Sequence, residues 1–474
     1  MKIVFASSEA APYAKTGGLA DVASALPRAL AEAGHEVLLF LPFYRTIKER
    51  FPGLPLRNAG RTGPFSIRED RRNGARVFFI ENDYYFNRGH LYGTAEGEDP
   101  ENGERFGFFS RSILDALRAL DFSPNVIHAH DWQTALIFAY RKFTNGGDPL
   151  FRSAGGVFTI HNLAYQGVFE PEILGRVGLP QRLFRMDDLE FHGRVSFLKA
   201  GILYADAVTT VSPRYAREIQ TPEFGCGLDG LLRSRSGAVR GIINGIDDAA
   251  WNPGADPEIA APFSSGDLAG KKACKEDLLR AFGFAPADSG PPVFGIVSRL
   301  AGQKGLDLFA DALDLLAPLT FRAVIVGTGE PWIERRLAET ARRFPWNVGL
   351  RIAYDERLAR KVFAGSDFFL VPSRYEPCGL TQMYAQRYGA VPVVRSVGGL
   401  DDTVDEYQPA SRKGTGFKFE AAGPDALVEA VRRALEAWKN PEDMAALRRN
   451  GMSRDFSWAR SAEEYLRLYR ELAG

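Results

Sequence analysis

Cysteine is scarce in this 474-residue chain, which holds only Cys226, Cys274 and Cys378. An odd, sparse set is no disulfide framework and suits a reducing compartment. Net charge is missing too, because 59 Lys and Arg offset 59 Asp and Glu. That balance gives no reason to expect nucleic acid or an anionic membrane as a partner, although a few local charges can still hold a small anion. No apolar run approaches the ~20 residues that span a bilayer. The apolar N-terminal run turns polar at Ser7, too short for a signal-peptide core. A soluble cytoplasmic enzyme is the expectation.

Several catalytic signatures are also lacking. There is no Walker A sequence, since Ser265 stands where a glycine is needed before Gly270-Lys271. His-Glu-x-x-His, Gly-x-Ser-x-Gly, Asp-x-Asp and paired-cysteine zinc spacings do not occur, so no metal is expected. Gly225-Cys226-Gly227-Leu228-Asp229-Gly230 matches a dinucleotide fingerprint literally. The residues before it include Pro222 and do not read as a strand, so a loop is the expectation.

What is present is an ordinary globular composition, 45% hydrophobic and 25% charged. Short β-branched runs at 3–6, 37–41, 77–80, 126–130, 157–160, 207–211 and 241–243 alternate with helical patterns such as 18–33. The second half repeats the alternation, with strands at 293–298, 323–326, 368–371 and 391–394 and a helix over 306–316. This pattern predicts an α/β chain of parallel, doubly wound sheets. The Pro- and Gly-rich stretch 252–292, with room for a helix at 271–282, breaks the pattern and reads as a join between domains. Each half opens as strand, loop with Lys and Gly, then helix. Two facing Rossmann-like domains would aim both loops into one cleft, because ligands bind at the carboxyl ends of such strands.

Four segments could carry chemistry. Lys15-Thr16-Gly17-Gly18-Leu19-Ala20-Asp21 joins the first strand to the first helix, where glycines permit close backbone approach and a helix start favours an anion. A plain glycine turn is an equally good reading of those residues alone. Arg299 and Lys304 follow the first strand of the second half, where two fixed cations can neutralise a diphosphate. Glu376, in Ser373-Arg374-Tyr375-Glu376-Pro377-Cys378-Gly379-Leu380-Thr381-Gln382, follows strand 368–371 and can hold sugar hydroxyls. Its alternative role is a helix-start carboxylate. His128 and His130 face one side of a strand ending at Asp131, and satisfied core histidines are a better reading than a metal pair. His161, followed by the polar loop Asn162-Leu163-Ala164-Tyr165-Gln166-Gly167, is the better ligand candidate.

Taken in order, Lys15–Asp21, His128-Ala129-His130-Asp131-Trp132, Thr159–Gly167, Asn244-Gly245-Ile246-Asp247, Arg299 with Lys304, and Glu376–Gln382 resemble bacterial glycogen synthase and plant starch synthase over nearly the whole chain. The resemblance implies a GT-B fold, two Rossmann-like domains facing a cleft. It implies an N-terminal acceptor-side domain over 1–250, a donor-side domain over 251–455, and a returning helix in 456–474. It also implies transfer of glucose from ADP-glucose to the non-reducing end of an α-1,4-glucan, with retention and without metal or pyridoxal phosphate. Arg299 and Lys304 fall where the family contacts the diphosphate. Glu376, with backbone at Cys378 and Gly379, falls at the donor glucose, Leu380-Thr381 at the phosphates, and His161 at the glucose. Lys15, Gly18, Asp21, Asn244 and Tyr354 fall at nucleotide-sugar positions, and Glu9 and Asp131 at polar positions linked to activity. Many wider relatives carry a second glutamate eight residues after the first. Tyr384 stands there, as in the narrower family.

Overall fold

The computed structural model describes residues 1–57, 64–71, 74–94, 97–285 and 290–473, so residues 286–289 of the expected join lie outside the described residues. Two compact units form. The first comprises Met1–Val211, Ala216–Gly245 and Trp458–Gly474, and the second Ser212–Tyr215 and Ile246–Ser457. The chain thus leaves the first unit at Gly245 rather than 250, and Ser212–Tyr215 groups with the second.

The first unit is built on nine strands: Lys2–Ala6 (β1), Glu36–Pro42 (β2), Leu56–Arg57 (β3), Ser66–Asp70 (β4), Arg76–Glu81 (β5), Val126–His130 (β6), Gly155–Ile160 (β7), Ala207–Thr210 (β8) and Val239–Gly241 (β9). Their order is β9-β8-β7-β6-β1-β2-β5-β4-β3. All pairs are parallel except those of β4 with β5 and β3. The central strands are buried on both faces, so they read as apolar runs rather than alternations. Helix α1 (Gly18–Glu32) turns Leu19, Val22, Ala23, Leu26 and Leu30 inward at helical spacing. The C-terminal helix, Trp458–Leu472, belongs to this unit and packs on α1. Gly155 admits it closely, since a Cβ there would overlap Leu472.

The second unit has six parallel strands: Val293–Val297 (β10), Arg322–Gly327 (β11), Val348–Ile352 (β12), Phe368–Val371 (β13), Val391–Arg395 (β14) and Phe417–Phe419 (β15). They run β12-β11-β10-β13-β14-β15. Helix α2 (Leu306–Leu316) buries Leu306, Phe309, Leu313 and Leu316 in the core formed with Phe294, Ile296, Phe368 and Val393. The literal glycine fingerprint at 225–230 follows the helix Pro213–Glu218 and a turn, not a strand, as expected of a loop. No described helix is long and apolar enough to cross a membrane.

Candidate active site

Doubly wound sheets bind ligands where the strand order reverses, outside the carboxyl ends of the strands. The first sheet reverses between β1 and β6, and the second between β10 and β13. The residues singled out from sequence follow these strands. Glu9, Lys15 and Gly18 follow β1, Asp131 follows β6, and His161 and Asn162 follow the neighbouring β7. In the second unit, Arg299 and Lys304 follow β10, and Glu376, Cys378 and Gly379 follow β13.

In the first unit, Glu9 is buried, and its carboxylate anchors the glycine loop. It accepts hydrogen bonds from the Thr16 hydroxyl at 2.6 Å, the Gly17 N–H at 3.3 Å and the Tyr92 hydroxyl at 2.6 Å, and from the Thr16 N–H. Lys15 Nζ pairs with Asp21 at 2.7 Å, which holds the cation beside the start of α1. A Cβ on Gly17 or Gly18 would meet nothing within 4 Å, and Gly17 has an extended backbone. Protein packing therefore does not demand glycine here, and the exposed backbone is open to a ligand. Asn244 is buried, and its Oδ1 has no hydrogen-bond partner among the described residues.

Asp131 sits in the left-handed region at φ +56°, where the short polar side chains of Asp and Asn are tolerated. Its Oδ1 accepts the His161 N–H at 2.7 Å, and the Asn162 N–H also bonds to its carboxylate. Burial pushes its carboxyl up to about 7, against these two bonds, and the nearby Glu9 adds to the rise. Burial pushes His161 down to about 3, so the ring is neutral. His128 is a satisfied core residue. Its Nδ1 meets the Tyr469 hydroxyl at 2.7 Å and its Nε2 the Thr159 hydroxyl at 2.5 Å. Both nitrogens are thus occupied, and no cluster of three or more His, Cys, Asp or Glu among the described residues could hold a metal ion.

In the second unit, Lys304 Nζ donates to Glu376 Oε2 at 2.6 Å, and the Ser373 hydroxyl donates to the same oxygen at 2.9 Å. The two loops are laced further. The Arg374 N–H donates to Gln303 O at 2.8 Å, and its guanidinium to Gly302 O at 2.9 Å and to both Asp307 oxygens at 2.7 and 2.6 Å. The Gln303 amide returns a bond to Tyr375 O at 3.1 Å. Arg299 is exposed, its guanidinium 3.5 Å from Gln303 Oε1. Helix α3 (Thr381–Arg387) begins just after Leu380, five residues beyond Glu376. From it, Gln382 Nε2 reaches back to Cys378 O at 3.1 Å and Gly379 O at 2.9 Å. Gly379 needs its φ of +72° to turn this loop. Tyr354 is 81% exposed, beyond the end of β12.

The sequence reading missed Tyr92 and the pair Gly398-Gly399, and it named Ser373 and Gln382 without seeing that they hold the loops. A Cβ at either glycine would collide with the Glu376 or Cys378 carbonyl, so these glycines let the Glu376–Gly379 loop settle. A Gly-Gly pair just after strand β14 was a readable signal for it.

In each unit the candidate residues thus lie in loops at the carboxyl ends of strands beside a switch point, where doubly wound sheets bind ligands. The comparisons with known proteins give the class. Residues 2–234 match the starch synthase catalytic domain, and 291–437 the glycosyl transferases group 1. A glycogen synthase of Anaeromyxobacter dehalogenans is 48% identical with all of both chains covered. One of Koribacter versatilis is 47% identical over 99% of this chain and 98% of its own. The catalytic domain of starch synthase IV from Arabidopsis thaliana, solved with ADP and acarbose bound, has a TM-score of 0.90 at 36% identity, covering 100% of this chain and 99% of that one. The chain is a GT-B glycosyltransferase. It belongs to the glycogen and starch synthase family.

Proposed function

We propose that this chain transfers glucose from ADP-glucose to the 4-hydroxyl at the non-reducing end of an α-1,4-glucan, with retention at the anomeric carbon. The observation that carries the reading is the Lys304–Glu376 pair, set at 2.6 Å between loops of adjacent strands β10 and β13. A cation for phosphate and a carboxylate for sugar hydroxyls stand side by side, as a sugar diphosphate requires. The Arabidopsis relative's ADP and acarbose support both ligand classes. In this reading Lys15, Arg299 and Lys304 surround the diphosphate, with Gly18, Asp21, Asn244 and Tyr354 on the nucleotide. Glu376, His161 and the backbone at Cys378 and Gly379 hold the glucose, and Leu380-Thr381 the phosphates.

The C1–O bond to the diphosphate breaks, and ADP departs as negative charge grows on it. The acceptor oxygen bonds C1 from the same face, and its proton passes to the departing phosphate oxygen. Fixed cations stabilise that charge by several kcal/mol in a preorganised site, so neither a metal nor pyridoxal phosphate is required. None of Cys226, Cys274 and Cys378 is held in a disulfide among the described residues, which supports a reducing, cytoplasmic setting.

The test is chain growth and ADP release from ADP-glucose and a maltooligosaccharide, with a chelator present and UDP-glucose run in parallel. Arg299→Ala or Lys304→Ala should lower kcat by ~10²-fold or more while the protein stays folded. Near-normal kcat in either folded variant overturns its role. A preference for UDP-glucose overturns the donor assignment.

A further inference from the structure

The mechanism above uses His161 and leaves the two buried histidines of β6 idle. His130 is fully buried, and its Nδ1 lies 3.0 Å from His161 Nε2. Its ring is stacked on Phe5, with centroids 5.2 Å apart, and lies against His128 at 4.1 Å. Its Nε2 is buried with no hydrogen-bond partner among the described residues. Its backbone N–H donates to the Thr134 hydroxyl at 2.7 Å, so the residue is held at both ends.

The two rings share one proton-bearing contact, and which nitrogen carries the proton follows from what each choice leaves behind. Burial drives both imidazoles toward the neutral form, so the contact holds one donor and one acceptor. If His161 Nε2–H donated, His130 would carry its own proton on Nε2. That buried N–H would have no acceptor, the rarest and costliest kind of orphan in a folded protein. If His130 Nδ1–H donates, only a lone pair is left unpaired at Nε2, the milder vacancy. His128 cannot relieve either case, because both its nitrogens are engaged by Tyr469 and Thr159.

We propose that His130 is a positioning residue: its Nδ1–H donates to His161 Nε2 and fixes His161 as the Nδ1–H tautomer. His161 then offers a sugar oxygen a hydrogen-bond donor and never a lone pair. Its ring is half-buried, and Nδ1 has no partner among the described residues. The tautomer itself follows from the ligand-free geometry; only its use on glucose rests on the donor reading above.

Two measurements on the full chain test this. The chain has six histidines, so ¹⁵N-histidine spectra of the ligand-free protein can resolve His161. A protonated Nδ1 and bare Nε2 are expected; a protonated Nε2 overturns the proposal. Among variants, His130→Asn keeps an amide N–H near the Nδ1 position, His130→Gln moves it toward Nε2, and His130→Phe keeps the ring without any donor. Loss of an orienting partner of this kind costs roughly 10-fold or more in kcat, expected for Phe and Gln with rescue by Asn at similar melting temperatures. Equal kcat in all three variants, or an unchanged kcat in folded His130→Phe, overturns it. Should Phe and Gln fail to fold, the wild-type spectrum still decides. If wild type does not turn over ADP-glucose, the donor reading falls while the spectrum still judges the tautomer.

Discussion

Gly305→Ala tests whether the two loops of the proposed donor site must touch as closely as they do. Gly305 ends the turn after Lys304 at φ +65°. An L-residue there costs roughly 1–2 kcal/mol in backbone strain. Space is the larger problem, because a Cβ would lie well inside 3.0 Å of the Pro372 carbonyl oxygen. That atom belongs to backbone and cannot rotate away. The loops must part by about 1 Å, a displacement that can cost ~10²-fold in rate at a reacting centre. The bonds of Gln303 to Tyr375 and of Arg374 to Asp307 tie the same two segments together and resist that parting. The shift therefore reaches the Lys304–Glu376 pair directly. The assay is ADP release over a donor series, with melting curves alongside. We expect kcat to fall ~10²-fold with a modest loss of thermal stability. Gly423→Ala is the control, because a Cβ there meets nothing within 4 Å. It costs the following helix about 1 kcal/mol at most and should leave kcat alone. If folded Gly305→Ala keeps wild-type kcat, the close approach of the loops is not what organises the donor site.

Glu9→Ala removes the acceptor for four donors, freeing the Lys15–Gly18 loop. The KM for ADP-glucose should rise, by roughly 10-fold for a loss of 1.4 kcal/mol; an unchanged KM would show the loop holds without it. Asp131→Asn keeps an oxygen for the His161 and Asn162 N–H groups but cannot ionise. The wild-type carboxyl is raised from its ordinary value to about 7 in the folded chain. Its contribution to stability is therefore full below pH ~4 and is lost as pH climbs through 7, by on the order of 4 kcal/mol. The Asn variant should flatten that slope in denaturation curves taken from pH 5 to 8, and an identical slope would remove Asp131 as its source.

Strands buried on both faces were readable where their buried residues run apolar, as in Ile3–Ala6 of β1 and all of β13. Strands at or next to a sheet edge were not. β4 reads Ser-Ile-Arg-Glu-Asp, and it holds because Arg57, Arg71 and Arg76 surround the buried Glu69. β12 ends in exposed Arg351 and Ile352, so its apolar signal fades after Leu350. The expected strand at 241–243 lies two residues late, because the ladder-like bond from the Ile242 N–H to Thr210 O extends the chain past the true strand, Val239–Gly241. Site residues were legible for a different reason. They sit in loops after parallel strands, where side chains are free to carry function. What fixes them was not legible, since Tyr92 lies 83 residues from Glu9, and His130 lies 31 residues from His161.

That division bears on how the proposed donor site would keep its charges ready. A flexible lysine loses rotamer entropy when it is fixed, of order 1.5–2 kcal/mol. Lys304 has already met that cost against Glu376, whose Oε2 also takes the Ser373 hydroxyl. A carboxylate oxygen engaged twice is a poor candidate for attack on C1 and a good one for fixing a hydroxyl. On the proposed donor reading, an arriving diphosphate would find a cation held in place and need only compete for its protons. Lys304→Arg tests this economy. Arginine keeps the charge but presents a planar fork to a carboxylate that Ser373 already shares. If prior fixation matters, the Arg variant should bind ADP yet lose kcat; if charge alone matters, it should match wild type in both.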